Sequence, residues 1–484
     1  MPTPWITTEL DTAHLDDKRL NKRFEEILEA FVNSPHASIP AALGGRNELE
    51  ATYRFFDNEK VTPTKLLAPH FDATAKRCQA QQVVLFPQDT TELEWTRPEQ
   101  QVVGAGPLSD SSRLGAFLHL NAAFTENGTH LGARDAKLWT REMPDPEEPK
   151  LSREEKRTLR RSLPIEEKES FRWLEGFRAV QTFAKTSPET TCVSLCDSEG
   201  DIYELIAEPR TTDNFHWIIR ACQDRLVLDE QDETLKTLRD SMLELPVLFT
   251  NDIMARGRKQ KISIETSSRK KSREARQATV SVRAGSVFIQ APQGSKHNVR
   301  SVKVNVVFVC EENPPQGEEP IEWMLLTTLS IATLDFVRRV IRYYTVRWMI
   351  EIFFRTLKSG CRIEERRFET LDRMLACTAV YVIVAWRTLY VCRLGRSCPD
   401  MDCELIFDPA EWQSVWSVCH RGKPLPSKPP PLSEMVRLIA RLGGYVDRPN
   451  RKDPPGVETL WKGIQRMRDL AWGWQTLGPG AKEH

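Results

Sequence analysis

Lys and Arg together number 68 and Asp and Glu also 68, so this 484-residue chain has zero formal net charge and is not a uniformly cationic nucleic-acid wrapper. Any polyanionic partner has to be met by local patches. With 40% hydrophobic residues the chain can bury proper cores, which excludes global disorder, and at roughly 100 to 200 residues per domain its length suits about two to four domains.

The opening MPTPWITTELDTAH lacks a basic-then-apolar signal pattern, and a cytoplasmic address is expected. Apolar residues at helical spacing (Leu15, Leu20, Phe24, Ile27, Leu28, Phe31) predict a helix within residues 10 to 33, with Arg19, Lys22 and Arg23 on its polar side. The segment ELEATYRFFDNEKVTP ends at Pro63 after the Asp57-Asn58 turn signal, and another helix follows to about Cys78. A helical domain is drawn over residues 1–75.

From Val83 the pattern changes to short β-rich runs, VVLF, FLHLNAAF, TCVSLC and FHWIIR, with a helical stretch at Phe171 to Lys185. That alternation predicts a mixed α/β sheet core, with its first part over residues 76–229. The Pro- and charge-rich interval EMPDPEEPKLSREEKRTLRR reads as a solvated loop. Residues 230–328 show short alternating runs and almost no helical period, which predicts an inserted all-β subdomain. After Leu334 the helical period returns through Lys358, and 329–395 is drawn as the second part of the core. The apolar stretch Met374 to Cys392 carries Arg387 and is flanked by Arg373 and Arg393, so it reads as a core helix and not a membrane span. A Pro-rich linker, PSKPPPLSE, and two further helices make residues 396–484 a helical tail.

Eleven cysteines without C-x-x-C spacing argue for reduced thiols, and Cys398, Cys403, Cys419 and His420 are too irregularly spaced for a zinc site. The basic cluster from Arg256 to Arg276 suits either a solvated loop or phosphate-backbone contact.

Asp89, in VVLFPQDTTEL, and Asp197, in TCVSLCDSEGD, each follow an apolar run. A carboxylate at a buried strand end must be hydrogen-bonded, paired or metal-bound, although Asp also opens ordinary turns there. In YYTVRWMIEIFFRTLKSG, Arg347, Glu351 and Lys358 stand 3, 7 and 14 residues after Tyr344. At about 100° per residue they share one helical face, amid large apolar neighbours that predict burial. A plain Arg-Glu-Lys brace would account for the same stripe. Taken together, three carboxylates suit a pair of hard divalent ions that drive in-line phosphoryl displacement, with Arg347 and Lys358 on the phosphate.

The spaced quartet Tyr344, Arg347, Glu351 and Lys358 resembles the Tyr-Arg-Glu-Lys signature of the fourth insertion-sequence family of bacterial transposases. PQDTTEL and LCDSEGDIYEL are similar to that family's two aspartate motifs, and ATYRFFDN, NPPQGEEPIEWMLLTT and RLIARLGGYVD extend the likeness along nearly the whole chain. The resemblance implies a ribonuclease H-like core that uses Asp89, Asp197 and Glu351 with Mg²⁺, for which Mn²⁺ can substitute, in cut-and-paste transposition through a DNA hairpin. It implies DNA contacts from Tyr344, Arg347, Lys358, Arg220, Arg19 and Arg23, and base stacking by Trp323, which could equally be a sheet-packing aromatic. The implied partners are transposon inverted-repeat ends, target DNA and a second copy paired through the tail, with no membrane. The chain would then be nucleoid-associated when bound. A domesticated DNA binder or inhibitor, and a structure-specific nuclease without strand joining, are the alternative functions.

Overall fold

A computed structural model describes residues 4–143, 145, 152–228, 235–255, 274–292, 299–446 and 454–477. The chain divides into two compact units, residues 1–84, 89–150 and 348–484 in the first and residues 85–88 and 151–347 in the second.

In the first unit the core is organised by the helix Leu371–Ser397, which buries residues all round, including Met374, Tyr381, Trp386 and Leu389. A helix apolar on every side has to be enclosed. It is long and apolar enough to cross a membrane, yet 83% of its most apolar window is buried in protein, the arrangement expected for Met374 to Cys392. Around it pack the helices Lys18–Asn33, Pro63–Gln79, Leu432–Leu442 and Val457–Leu477. The first of these starts later than the apolar period suggests, because Asp17 caps it by accepting from the Arg19 amide and Asp16 adopts a left-handed φ of 57°.

The strands of the first unit are β1 (Val83–Glu94), β2 (Gly106–Pro107), β3 (Leu114–Phe124) and β4 (His130–Trp139), in the order β2-β3-β1 with β4 also on β3. Strand β1 is longer than the run VVLF implies and continues through QDTTELE, so Asp89 stands within a strand and not past its end. Thr90 and Thr91 favour extended backbone, Leu93 is buried, and Glu92 and Glu94 both pair with Arg113.

In the second unit the Leu85–Gln88 stretch of β1 begins an order continued by β5 (Thr191–Cys196), β6 (Phe215–Arg220), β12 (Glu322–Thr327), β11 (Ser301–Glu311), β10 (Arg276–Gln290), β7 (Leu226–Leu228) and β8 (Leu235–Thr237). Strand β9 (Phe249–Ala255) also pairs with β10. β5 and β6 are parallel, joined by a crossover, whereas β6, β12, β11 and β10 run antiparallel in sequence. The stretch 230–328 is not purely β, since Leu238–Leu243 is helical behind its Thr237 cap, and β12 hydrogen-bonds β6 directly.

Two other expectations are corrected. The interval around residue 155 holds a helix, Arg153–Ser162, opened by a capping box in which Ser152 and Glu155 satisfy each other's backbone amides. The run from Tyr344 to Lys358 is not one continuous helix. Leu334–Val346 ends at Arg347, Trp348–Arg355 follows, and Thr356–Gly360 forms a π-turn closed by the Cys361 amide bonding to the Thr356 carbonyl. The basic cluster from Arg256 lies outside the described residues up to position 273; Arg276 itself pairs with Glu311 and Glu318 in β10.

Candidate active site

Asp197 stands where β5 ends and caps the short turn Ser198–Gly200, its carboxylate accepting from the Glu199 amide at 2.8 Å. The turn sits tightly on the strand, for a β-carbon on Gly200 would come within 2.5 Å of the Cys196 Cβ and 3.2 Å of the Trp173 ring. Burial, with the charge of Asp197 beside it, pushes the Cys196 thiol up to about 12. Burial also raises the carboxyl of Glu199, again helped by Asp197 and opposed by Arg172, to which it is paired at 3.0 Å. Gln88, fully buried, donates to Ser194 Oγ and Cys196 Sγ, both at 3.3 Å, which stitches the residue before Asp89 to the strand that delivers Asp197.

Four of the residues singled out above gather near Asp197 in this unit. Arg220, the last residue of β6, donates to the Glu322 carbonyl at 3.3 Å and to the Tyr344 hydroxyl. Trp323 lies half-buried on β12 opposite Val309, its ring centroid 6.1 Å from that of Tyr344. Burial raises the Tyr344 phenol against the pull of Arg347 and Arg220, and the charge of Asp197 also reaches it. Arg347, half-buried, occupies the break between two helices. One carboxylate, two guanidiniums and two aromatics therefore share one neighbourhood.

The other residues belong to the first unit. Asp89 is 8% exposed in β1, with the Thr90 amide on its Oδ1 at 2.7 Å. Thr90 Oγ1 in turn meets Nδ1 of the buried His119 at 2.9 Å. Glu351 lies in the first turn of Trp348–Arg355, where Met349, Ile350, Phe353 and Phe354 are buried and Phe353 meets His130 edge-on. Trp348, one of the large apolar neighbours expected to be buried, is 45% exposed. Lys358 lies in the π-turn and pairs with Glu364 at 3.2 Å, and Glu364 also accepts from the Glu94 amide at 3.0 Å. Glu364 was not legible from the sequence: it follows Lys358 by six residues and is turned back by the left-handed φ of 52° at Arg362.

Arg19 and Arg23 stand on the Lys18–Asn33 helix, paired with Asp17 and Glu26, each at 2.9 Å. Such exposed pairs are worth little and exchange readily for phosphate. Among the described residues no group of three or more His, Cys, Asp or Glu side chains is placed to hold a metal ion, and every cysteine is a free thiol. The carboxylates at positions 89 and 351 belong to one unit and that at 197 to the other.

Comparison with known families gives the assignment. Residues 2–61 match a transposase DNA-binding family, 176–383 a transposase DDE domain, and 383–475 the Tn5 transposase dimerisation domain. The chain carries the domain set of a DDE transposase. The DDE match spans Asp197 and Glu351 and begins after Asp89. A DDE domain implies a ribonuclease H-like fold, in keeping with the mixed sheet flanked by helical amino- and carboxy-terminal regions. Among solved structures, the synaptic complex of piggyBac transposase with hairpin DNA aligns over 93% of this chain and 76% of its own, at 10% identity and a TM-score of 0.35, a likeness too low to argue from.

Proposed function

We propose that this transposase performs cut-and-paste transposition, cleaving transposon ends through a hairpin intermediate and joining the freed 3′ ends to target DNA. The carrying observation is the gathering of Asp197, Arg220, Trp323, Tyr344 and Arg347 within a chain that also matches DNA-binding and dimerisation domains. Within the insertion-sequence family we read it as akin to the transposase of the composite kanamycin-resistance transposon. Residues 1–75 would bind the ends, 76–229 and 329–395 would form the catalytic core around the 230–328 segment, and 396–484 would pair two subunits.

Asp89, Asp197 and Glu351 would hold Mg²⁺ or Mn²⁺, hard ions suited to an all-carboxylate donor set. Bound there, the metal supplies activation of a water or 3′-hydroxyl and stabilises the leaving oxygen. The chain's own groups do the rest. Arg347 offers a planar fork and Lys358 a point charge to phosphate oxygens, and release of Lys358 from Glu364 would accompany DNA entry. Tyr344 lies beside the half-buried Trp323 and Arg220 holds the Glu322 carbonyl before it, and the indole face would take a base turned out of the stack. Arg19 and Arg23 would exchange Asp17 and Glu26 for phosphates of the end sequence.

The test is cleavage of DNA carrying the element's own ends by purified protein with Mg²⁺. Asp197→Asn and Glu351→Ala should abolish cutting while end binding persists; cutting by either variant at the wild-type rate refutes the assignment. The alternative is a domesticated DNA binder that keeps the fold without mobility. Wild-type protein that binds ends and never cuts them would establish that reading instead.

A further inference from the structure

Four residues after Asp197, the side chain of Asp201 makes a buried network that the chemistry above does not use. Asp201 is 3% exposed and Arg225 7%, although Cys222, Gln223 and Asp224 between them are exposed. Arg225 donates through Nε and Nη2 to Asp201 Oδ1 at 3.0 and 2.7 Å, and through Nη2 to the Asp201 carbonyl at 2.7 Å. The other carboxylate oxygen, Oδ2, accepts from the amides of Cys222 and Gln223 at 2.9 and 3.0 Å. Cys222 Sγ closes the same contact by donating to the Ser198 carbonyl at 3.3 Å.

Asp197 and Asp201 are the two caps of one turn, Ser198–Gly200, and Arg220 ends the strand that leads into the Cys222–Arg225 loop. We infer that Asp201 and Arg225 are positioning residues, a buried pair that locks the turn carrying Asp197 to the strand end carrying Arg220. Both act through the backbone they hold. Buried ion pairs contribute little net stability compared with apolar substitutes, so fixing the register of two loops is the better account of this one. The inference rests on the reading of Asp197 as a catalytic carboxylate, since displacement of a reacting group by about 1 Å can cost on the order of 100-fold in rate.

The experiment uses the full-length chain and the variants Asp201→Asn and Arg225→Lys, the latter retaining the charge without the fork. Two readouts are taken: hydrogen exchange at the Cys222 and Gln223 amides without DNA, and end cleavage at saturating DNA alongside end affinity. Asp201→Asn should speed that exchange about tenfold or more, as expected when a charge-assisted acceptor is lost. It should slow cleavage on the order of 100-fold while leaving end affinity nearly unchanged, with Arg225→Lys intermediate on both. The double variant Asp201→Asn/Arg225→Gln, which removes the stranded charge, should regain wild-type exchange protection of the β5 and β6 amides without regaining cleavage. Unchanged exchange in Asp201→Asn overturns the lock. Faster exchange with wild-type cleavage overturns its service to Asp197, and recovery of cleavage together with strand protection in the double variant reduces the pair to a stability element. If the wild-type protein itself cuts no end DNA, the transposase reading is what has failed, and the exchange result still decides the lock.

Discussion

Replacing Glu9 by Gln isolates the contact that fastens the amino-terminal helix Pro4–Glu9 into the first unit. Glu9 is 2% exposed and accepts from Arg77 at 2.7 and 3.0 Å and from His70 Nδ1. The tautomer follows from the far side of the ring, where Nε2 accepts from the Ala133 amide at 3.0 Å, leaving the proton on Nδ1. Arg77 also donates to the Leu131 carbonyl at 2.6 Å and lies 4.2 Å over the Trp386 ring. With glutamine at this position, Arg77 loses the charge that compensates its burial. Removing one member of a buried pair costs about 3 to 5 kcal/mol, and the 21% exposure of the Arg77 side chain puts this pair near the lower end. Two units make a single melting temperature ambiguous, so the assay is hydrogen exchange of the Pro4–Glu9 amides in the intact chain. About 3 kcal/mol corresponds to roughly 100-fold faster exchange if the helix opens locally. The double variant Glu9→Leu/Arg77→Met should return most of the loss, since apolar replacement of a whole pair is often neutral. Exchange in Glu9→Gln within about threefold of wild type, a difference of well under 1 kcal/mol, would refute the anchoring argument. Burial alone would raise the Glu9 carboxyl, but His70 and Arg77 hold it below its usual value. Its contribution is therefore complete above the ordinary glutamate range and is lost as pH falls through the lowered value.

Gly200→Ala should cost cleavage more than end binding, because the added β-carbon meets Cys196 and Trp173 and must shift the turn that Asp197 caps; equal rates for variant and wild type would show the turn can yield. Alkylation at pH 8 should label the exposed Cys222 and Cys398 and spare Cys196, Cys361 and Cys377, whose thiols burial pushes up to about 12; mass spectrometry of early labelling at any of these three would contradict the burial. Burial, aided by the charge of Arg210, lowers His216 to about 4. The unfolded chain then takes up the proton first, so stability is complete above about pH 6.5 and falls as pH drops toward 4. His216→Asn should flatten the pH dependence of denaturant unfolding over that interval, and an unaltered slope would remove His216 as its source.

Local pattern decided much of the outcome. TCVSLC and FHWIIR became β5 and β6, and Phe171–Lys185 became a helix, because side-chain period and β-branched content act within a few residues of where they are written. The Ser152-to-Glu155 spacing of the capping box is equally local, although the composition around it is Pro- and charge-rich. The candidate residues were readable as types at spacings. Their surroundings were not. Counting a constant turn per residue carries the stripe straight from Tyr344 to Lys358, whereas the helix is interrupted at Arg347 and widens into a π-turn at Thr356, where Lys358 meets Glu364. Nor does any period announce that Asp201 will be buried against Arg225, or Glu9 against Arg77, 68 residues away. A buried charge takes whichever counter-charge the folded chain brings within reach, and that choice is made by chain path and solvent exclusion, which only the tertiary structure sets.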